Sequence, residues 1–439
     1  MRTHKPILES LAEQPGIGAI PVTDLSSRME RMGKVTLRRN GSFSSGFEHE
    51  FMYTMHVSEL SAFLREAGPC SVGEAETNLY RNRYANVIPF DATRVALTSP
   101  SPISPPPLSG PLLPPLPDAD AGAAADPSVG PCDVSSLPLG PEAESISSPS
   151  DFLNASFVSG QAPNAKHAYI ASQAPLPWTA EAFWAAIWEN NVRTIVMLTD
   201  LVESGIIKAD RYWPPPRSQA AQEAADEAGL SAVGQGSLNL GPFWIACEGH
   251  RYDAPTGVDE RSLIVSRMEE DGSVATRRVK QFHFRQWPDH GVPEDSHQLL
   301  ALVRSLWARS DEEREEDPDS ESAAPLLVHC SAGVGRTGVF IAVHSILSRF
   351  RYELAAGVPI HDLSVSIPLT VLGLRLQRRY CVQTPDQYQL CYIAVLEFLE
   401  SELGLSVSGG TTADLVTESS SPSSPSSSTA AVQPESTLP

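Results

Sequence analysis

The chain has 439 residues, with 32 Lys and Arg against 53 Asp and Glu, a formal charge of −21 and a pI near 4.9. That balance argues against a nucleic-acid binder, because phosphate-backbone binding is driven by clustered cations. With 41% hydrophobic residues the chain can bury a core, yet its 38 prolines are well above ordinary use, so part of it does not pack.

Residues 1–46 read as an N-terminal arm, partly disordered. The opening MRTHKPILESLAEQPG lacks the apolar stretch of a signal peptide, and no run approaches the ~18 apolar residues of a membrane span. The six cysteines form no CxxC pair, which suits reduced thiols in an intracellular protein. A soluble, cytoplasmic monomer is expected, with the nucleus as the other compartment.

A folded body is expected over 47–402, broken by three insertions. Residues 99–150 hold 14 prolines, four Ser-Pro steps and no Lys or Arg, so no periodicity survives there. Residues 218–238 are rich in Ala and Gln, and 310–324 form an acidic run that repels itself and stays solvated. The Ser/Pro-rich tail, 403–439, is expected to be disordered. The insertions and tail carry nearly all of the negative charge, which leaves the rest of the chain nearly neutral.

Between these segments lie ordered signals. Thr194 to Leu198 and Leu326 to Val328 are short apolar runs of the kind buried on both faces of a sheet. Residues 339–350 carry an apolar stripe at helical spacing, and 389–399 repeat it. Strands interleaved with helices predict an α/β or mixed-sheet domain.

Leu326 to Gly338, LLVHCSAGVGRTG, reads as a buried strand, a Gly-rich loop holding one Cys and one Arg, and the start of a helix. Loop N–H groups between a strand and a helix N-terminus converge on one point, where the helix dipole also favours negative charge. Cys330 sits at the start of that cradle, whose donors, with Arg336, stabilise a thiolate. Arg336 offers a planar fork for two phosphate oxygens. Gly333, Gly335 and Gly338 let the backbone approach an anion closely.

His329-Cys330-Ser331-Ala332-Gly333-Val334-Gly335-Arg336-Thr337 resembles the signature loop of tyrosine-specific protein tyrosine phosphatases, of the non-receptor type. The resemblance implies a single catalytic domain built on a twisted mixed central sheet flanked by helices. It also implies roles. Cys330 attacks phosphorus, Arg336 binds the phosphoryl oxygens together with the backbone of Ser331, Ala332, Gly333, Val334 and Gly335, and Thr337 stabilises the departing thiolate. His329 supports the loop.

Other segments resemble the same family in its order. Trp287-Pro288-Asp289-His290-Gly291 is similar to the mobile acid loop, with Trp287 as its support and Asp289 as the general acid and base; a positioned acid typically contributes ~100- to 10,000-fold. Asn82-Arg83-Tyr84 resembles the recognition loop, in which Tyr84 stacks on the substrate ring and Asn86 holds the peptide backbone. Leu374-Arg375-Leu376-Gln377-Arg378 and the segment Val382 to Tyr388 resemble the glutamine loop: Gln383 orients water, Gln387 assists and Arg375 supports. Glu203 and Lys208 match a Glu that pairs with the signature Arg and a Lys that contacts the acid loop. Tyr380 is bulky where a small residue in some relatives opens a second phosphotyrosine site, so one pocket is expected.

The implied activity is hydrolysis of phosphotyrosine in proteins, a signalling reaction that needs no metal or cofactor. Two alternatives stay open from sequence: a pseudophosphatase that only captures phosphotyrosine, and a dual-specificity phosphatase. The implied partners are phosphotyrosine proteins. Arg31 to Leu37, RMGKVTL, adds a pattern compatible with docking to a mitogen-activated protein kinase.

Overall fold

The computed structural model describes residues 5–14, 16–34, 36–37, 43–101, 150–161, 168–215, 237–254, 256–269, 271–287, 291–293, 296–316 and 324–405. The interiors of the three expected insertions, the tail from 406, and Pro288, Asp289 and His290 lie outside the described residues.

A nine-stranded mixed sheet forms the body. Its strands are β1 (Arg94–Ser101), β2 (Ser150–Val158), β3 (Tyr169–Ser172), β4 (Thr194–Met197), β5 (Leu238–Leu240), β6 (Phe243–Asp253), β7 (Val258–Met268), β8 (Val274–Phe284) and β9 (Leu326–His329). They lie in the order β5-β6-β7-β8-β4-β9-β3-β2-β1. The central pairs β8/β4, β4/β9 and β9/β3 are parallel, and the flanking pairs are antiparallel. The sequence explains the division. Every residue of TIVM in β4 and YIAS in β3 is buried, as parallel strands covered on both faces require, whereas the start of β8 alternates exposed and half-buried residues.

The helices longer than one turn, among the described residues, are α1 (Lys5–Ala12), α2 (Leu25–Gly33), α3 (Gly46–Glu59), α4 (Ser61–Ala67), α5 (Ala180–Glu189), α6 (Ser296–Glu316), α7 (Gly335–Ala355), α8 (Ile367–Arg375) and α9 (Pro385–Leu403). On one face of the sheet, Phe183, Trp184 and Trp188 of α5 pack with Ile195, Met197, Tyr212, Ile245 and Leu263. Burying side chains of this size stabilises by roughly 1.5–3 kcal/mol each. Helix α7 is buried from Gly335 through Leu347, which accounts for an apolar run with little amphipathic contrast. It packs against α8 and α9 and directly follows β9 through the Cys330 loop.

Two segments flanking the expected body or its insertions are ordered. The acidic run expected to stay solvated from 310 is helical through Glu316, and Asp311 pairs with Arg351 of α7. Glu and Arg are good helix formers, and a helix already nucleated by 296–309 propagates at small cost. The N-terminal arm contributes α1 and α2, and Ile20–Pro21 pairs antiparallel with Ser364–Val365.

Candidate active site

Strand β9 ends at His329, and the chain turns at once into the loop Cys330–Val334. Gly333 makes that turn possible: its φ is +74°, and a Cβ there would lie 2.0 Å from the Ser172 carbonyl oxygen of β3. Val334, at the start of α7, offers no side-chain cap to the first-turn N–H groups, which have no partner within a helix. The Gly333 N–H donates to Cys330 Sγ at 3.3 Å. Cys330 is buried, as is Thr337, whose hydroxyl has no hydrogen-bond partner among the described residues.

Arg336 is buried in the first turn of α7 and meets Glu203 through two hydrogen bonds, Nη1 to Oε1 at 2.6 Å and Nη2 to Oε2 at 2.7 Å, with a third from Nη1 to the Leu198 carbonyl at 3.1 Å. Glu203 is itself fixed, accepting from Thr199 Oγ1 at 2.8 Å and the Asp200 N–H at 3.0 Å. A fork–fork pair of this kind sets the plane of the guanidinium and keeps it beside the loop.

The histidine before the cysteine is wholly buried. His329 Nδ1 lies 3.1 Å from the Cys330 carbonyl and Nε2 lies 2.7 Å from the Tyr212 hydroxyl, whose oxygen accepts from Gln281 Nε2 at 2.8 Å. A carbonyl only accepts, so Nδ1 carries the proton and Nε2 accepts a hydrogen bond from the Tyr212 hydroxyl. Burial pushes the imidazole down to about 3, which keeps it neutral.

Tyr84 is buried in the recognition loop and packs with Val87, Ala332 and Val334, with Tyr380 beside them. Its hydroxyl is 2.8 Å from Ser331 Oγ, which donates to the Lys208 carbonyl at 2.7 Å. The buried Lys208 therefore reaches the signature loop through its backbone. Asn86, two residues beyond Tyr84, is half-buried. Trp287 is buried, and its indole N–H donates to the Gly291 carbonyl at 3.0 Å, tying together the two ends of the acid loop. Asp289 lies between them, outside the described residues.

The glutamine loop closes the other side. The Val382 N–H donates to the Val334 carbonyl at 3.1 Å, and Val382 and Tyr380 sit at φ 63° and 65°, a region that β-branched and bulky residues seldom occupy. Arg375 holds this backbone, donating to the carbonyls of Cys381 at 2.9 Å and Val382 at 2.7 Å. A Cβ at Gly335 would lie 2.5 Å from Gln383 Oε1 and 3.1 Å from Gln387 Oε1, so both glutamine side chains stand against the signature loop. Gln387 Oε1 also accepts the Gln383 N–H at 2.9 Å.

Sequence reasoning assigned no role to Arg378, which the structure places at the centre. It is buried and donates to the carbonyls of Gly333 at 2.7 Å and Ala332 at 3.0 Å, to Asn154 Oδ1 at 2.9 Å and to Ser156 Oγ at 3.2 Å. Burial lowers its guanidinium to about 10, still charged at neutral pH, and the charge faces Cys381 and Cys330. It thereby fixes the orientation of two loop peptides, one on each side of Gly333, whose N–H meets Cys330 Sγ. Arg83 does comparable work under the recognition loop, donating to the carbonyls of Ala174 and Pro175 and to Asp210. An arginine amid buried apolar residues, as in LRLQR, was the available signal.

Among the described residues no group of three His, Cys, Asp or Glu side chains stands together as a metal site, and no helix is long and apolar enough to cross a membrane. A thiol that accepts the Gly333 N–H and a guanidinium clamped by Glu203 thus stand on one loop at the head of α7, groups of the kind that bind and attack a tetrahedral anion.

Receptor-type tyrosine-protein phosphatase F of Rattus norvegicus is 31% identical to this chain over 86% of its length, and receptor-type tyrosine-protein phosphatase S of Gallus gallus is 32% identical over 89%. Receptor-type tyrosine-protein phosphatase zeta of Rattus norvegicus is 29% identical over 88%. The chain spans 14%, 19% and 13% of the lengths of these relatives. All three are receptor-type by name, so the non-receptor arrangement expected from the sequence finds no support among them. The family model described as protein-tyrosine phosphatase matches residues 78–397, from just before the recognition loop into α9, and on that match the chain belongs to the protein-tyrosine phosphatase family.

Proposed function

We propose that this chain hydrolyses phosphotyrosine in proteins through a cysteinyl-phosphate intermediate. The observation that carries the reading is that Cys330, with the Gly333 N–H on its sulfur, and the Glu203-clamped Arg336 share one loop at the head of α7. The thiolate attacks phosphorus as the P–O bond to tyrosine breaks, and Asp289 gives its proton to the departing phenolate. Water, oriented by Gln383, then attacks phosphorus. The S–P bond breaks, its electron pair returns to Cys330, and the water proton passes to Asp289. Arg336 and the loop N–H groups hold the equatorial oxygens throughout, where charge shifts in each transition state.

The wall of Tyr84, Val87, Ala332 and Val334 favours an aromatic substrate over phosphoserine or phosphothreonine, which are too short to span it. Phosphate release from a phosphotyrosine peptide, with Cys330→Ser as control, tests the reading. No release by the wild type at pH 6 overturns it, and binding without release makes the chain a capture module. Equal release from phosphoserine peptides makes it a dual-specificity enzyme. A mitogen-activated protein kinase partner rests on the Arg31 to Leu37 pattern alone. It and the expected non-receptor, cytoplasmic arrangement are tested by co-purification and by fractionation of cells expressing the chain.

A further inference from the structure

The N-terminal helices α2 and α3 join the glutamine loop through one carboxylate. Glu50 of α3 is nearly buried, with its side chain 12% exposed, and both of its oxygens are engaged. Oε2 pairs with Arg28 of α2, whose guanidinium also donates to the Gly16 carbonyl at 2.6 Å. Oε1 accepts from the hydroxyls of Tyr388, at 2.7 Å, and Tyr392. Burial raises both phenols well above their ordinary value, so each stays a donor. Tyr388 and Tyr392 lie near the start of α9 and face α3, with Phe51 tilted at 5.8 Å from Tyr388 and Phe47 edge-on at 5.5 Å from Tyr392.

The turn of α9 held this way also carries the glutamine loop. Gln387, adjacent to Tyr388, takes the Gln383 N–H on its side-chain oxygen, and both glutamines lean on Gly335. Helix α3 grips the loop a second time near its end, where Ser58 Oγ accepts from Arg375 at 3.1 Å. Arg375 in turn holds the carbonyls of Cys381 and Val382, just before Gln383. The loop itself sits at strained φ values at Tyr380 and Val382 and needs such outside support.

We infer that Arg28 and Glu50 are positioning residues for the second chemical step, fixing through Tyr388 and Tyr392 the glutamine loop that aims water at the cysteinyl-phosphate. The inference rests on the phosphatase reading above. Attack on the substrate uses Cys330, Arg336 and Asp289 and does not need Gln383, so loosening the clamp slows hydrolysis of the intermediate and leaves its formation alone. Small displacements of a reacting group carry large rate penalties.

The test is rapid-mixing kinetics with an aryl phosphate on the full chain and on Arg28→Ala, Glu50→Gln and Tyr392→Phe. Each variant is expected to lower kcat per titrated active site about tenfold and to lower KM with it, leaving kcat/KM unchanged. A burst of aryl alcohol equal to the enzyme present then precedes the steady state, and Arg28→Lys restores much of kcat. A merely structural clamp would reduce the titrated sites and the melting temperature while leaving kcat per site and the burst as in wild type; that result overturns the inference. Should Glu50→Gln fail to fold, Tyr392→Phe, which removes one hydroxyl, decides. A wild type that never forms a cysteinyl-phosphate overturns the phosphatase reading, whereas a turning-over wild type matched by its variants overturns this inference alone.

Discussion

Arg336 meets Glu203 through two hydrogen bonds of 2.6 and 2.7 Å, a contact between residues 133 apart in sequence that fixes the phosphate fork before any phosphate arrives. Both side chains are about nine-tenths buried, so removing one leaves the other charge costly to keep. Glu203→Gln is expected to destabilise the fold by about 3 kcal/mol in urea unfolding. Arg336→Lys is expected to lower kcat/KM about 100- to 1,000-fold, because a point charge cannot match two oxygens at once. Inorganic phosphate should raise the melting temperature of Glu203→Gln more than that of the wild type, since the dianion supplies the missing countercharge. Equal shifts would contradict the clamp.

Two glycines of the loop should behave differently. Gly333 has positive φ, and its Cβ would strike backbone, so Gly333→Ala is expected to cost about 2–4 kcal/mol of stability and all activity. Gly335→Ala would strike only the flexible ends of Gln383 and Gln387, so stability should change little while kcat falls. A Gly333→Ala protein as stable as wild type would show that the loop does not seat on Ser172.

Three buried histidines set an acid limit. Burial pushes His329 down to about 3 and His283 and His344 down to about 4, from an ordinary 6.5. Their folded-state values lie below the unfolded one, so the unfolded chain binds more protons between pH 6.5 and 4. The stability they contribute is therefore complete above about pH 6.5 and falls as the pH drops, by up to about 1.4 kcal/mol per unit for each histidine. Urea midpoints measured from pH 7 to 4.5 should decline steeply; a flat profile over pH 6.5 to 5 would rule this out.

Asp289→Ala is expected to bind phosphotyrosine peptide as the wild type does and to turn it over at least about 100-fold more slowly, which makes a substrate trap. Normal turnover by that variant would assign the proton transfer to another group.

Tyr380 packs beside Tyr84 and Val87, with the Arg379 guanidinium 4.8 Å from its ring centroid. A tandem phosphotyrosine peptide should bind the wild type no better than a singly phosphorylated one. Tyr380→Gly should fold, because glycine takes φ 65° without strain, and should gain preference for the tandem peptide. A strong tandem preference in the wild type would refute the single pocket.

What the sequence determined by itself was local. A buried strand, a Gly-rich loop and a helix follow from contiguous residues, since β-branched runs, glycine spacing and helical periodicity act over a few positions, and these put Cys330 and Arg336 in one cradle. The parallel centre of the sheet was likewise foreshadowed by TIVML and LLV, apolar on both faces. Tertiary structure decided which charges hold that cradle. Arg378 grips two loop carbonyls, Glu203 arrives from a hairpin far upstream, and Glu50 reaches α9 across 338 residues to Tyr388. No spacing rule encodes such pairs, because each exists only once the sheet order brings distant segments together and burial removes the water that would otherwise satisfy them. The start of the acidic run makes a related point: its charge does not say where the preceding helix stops, and that helix carries the chain on to Glu316.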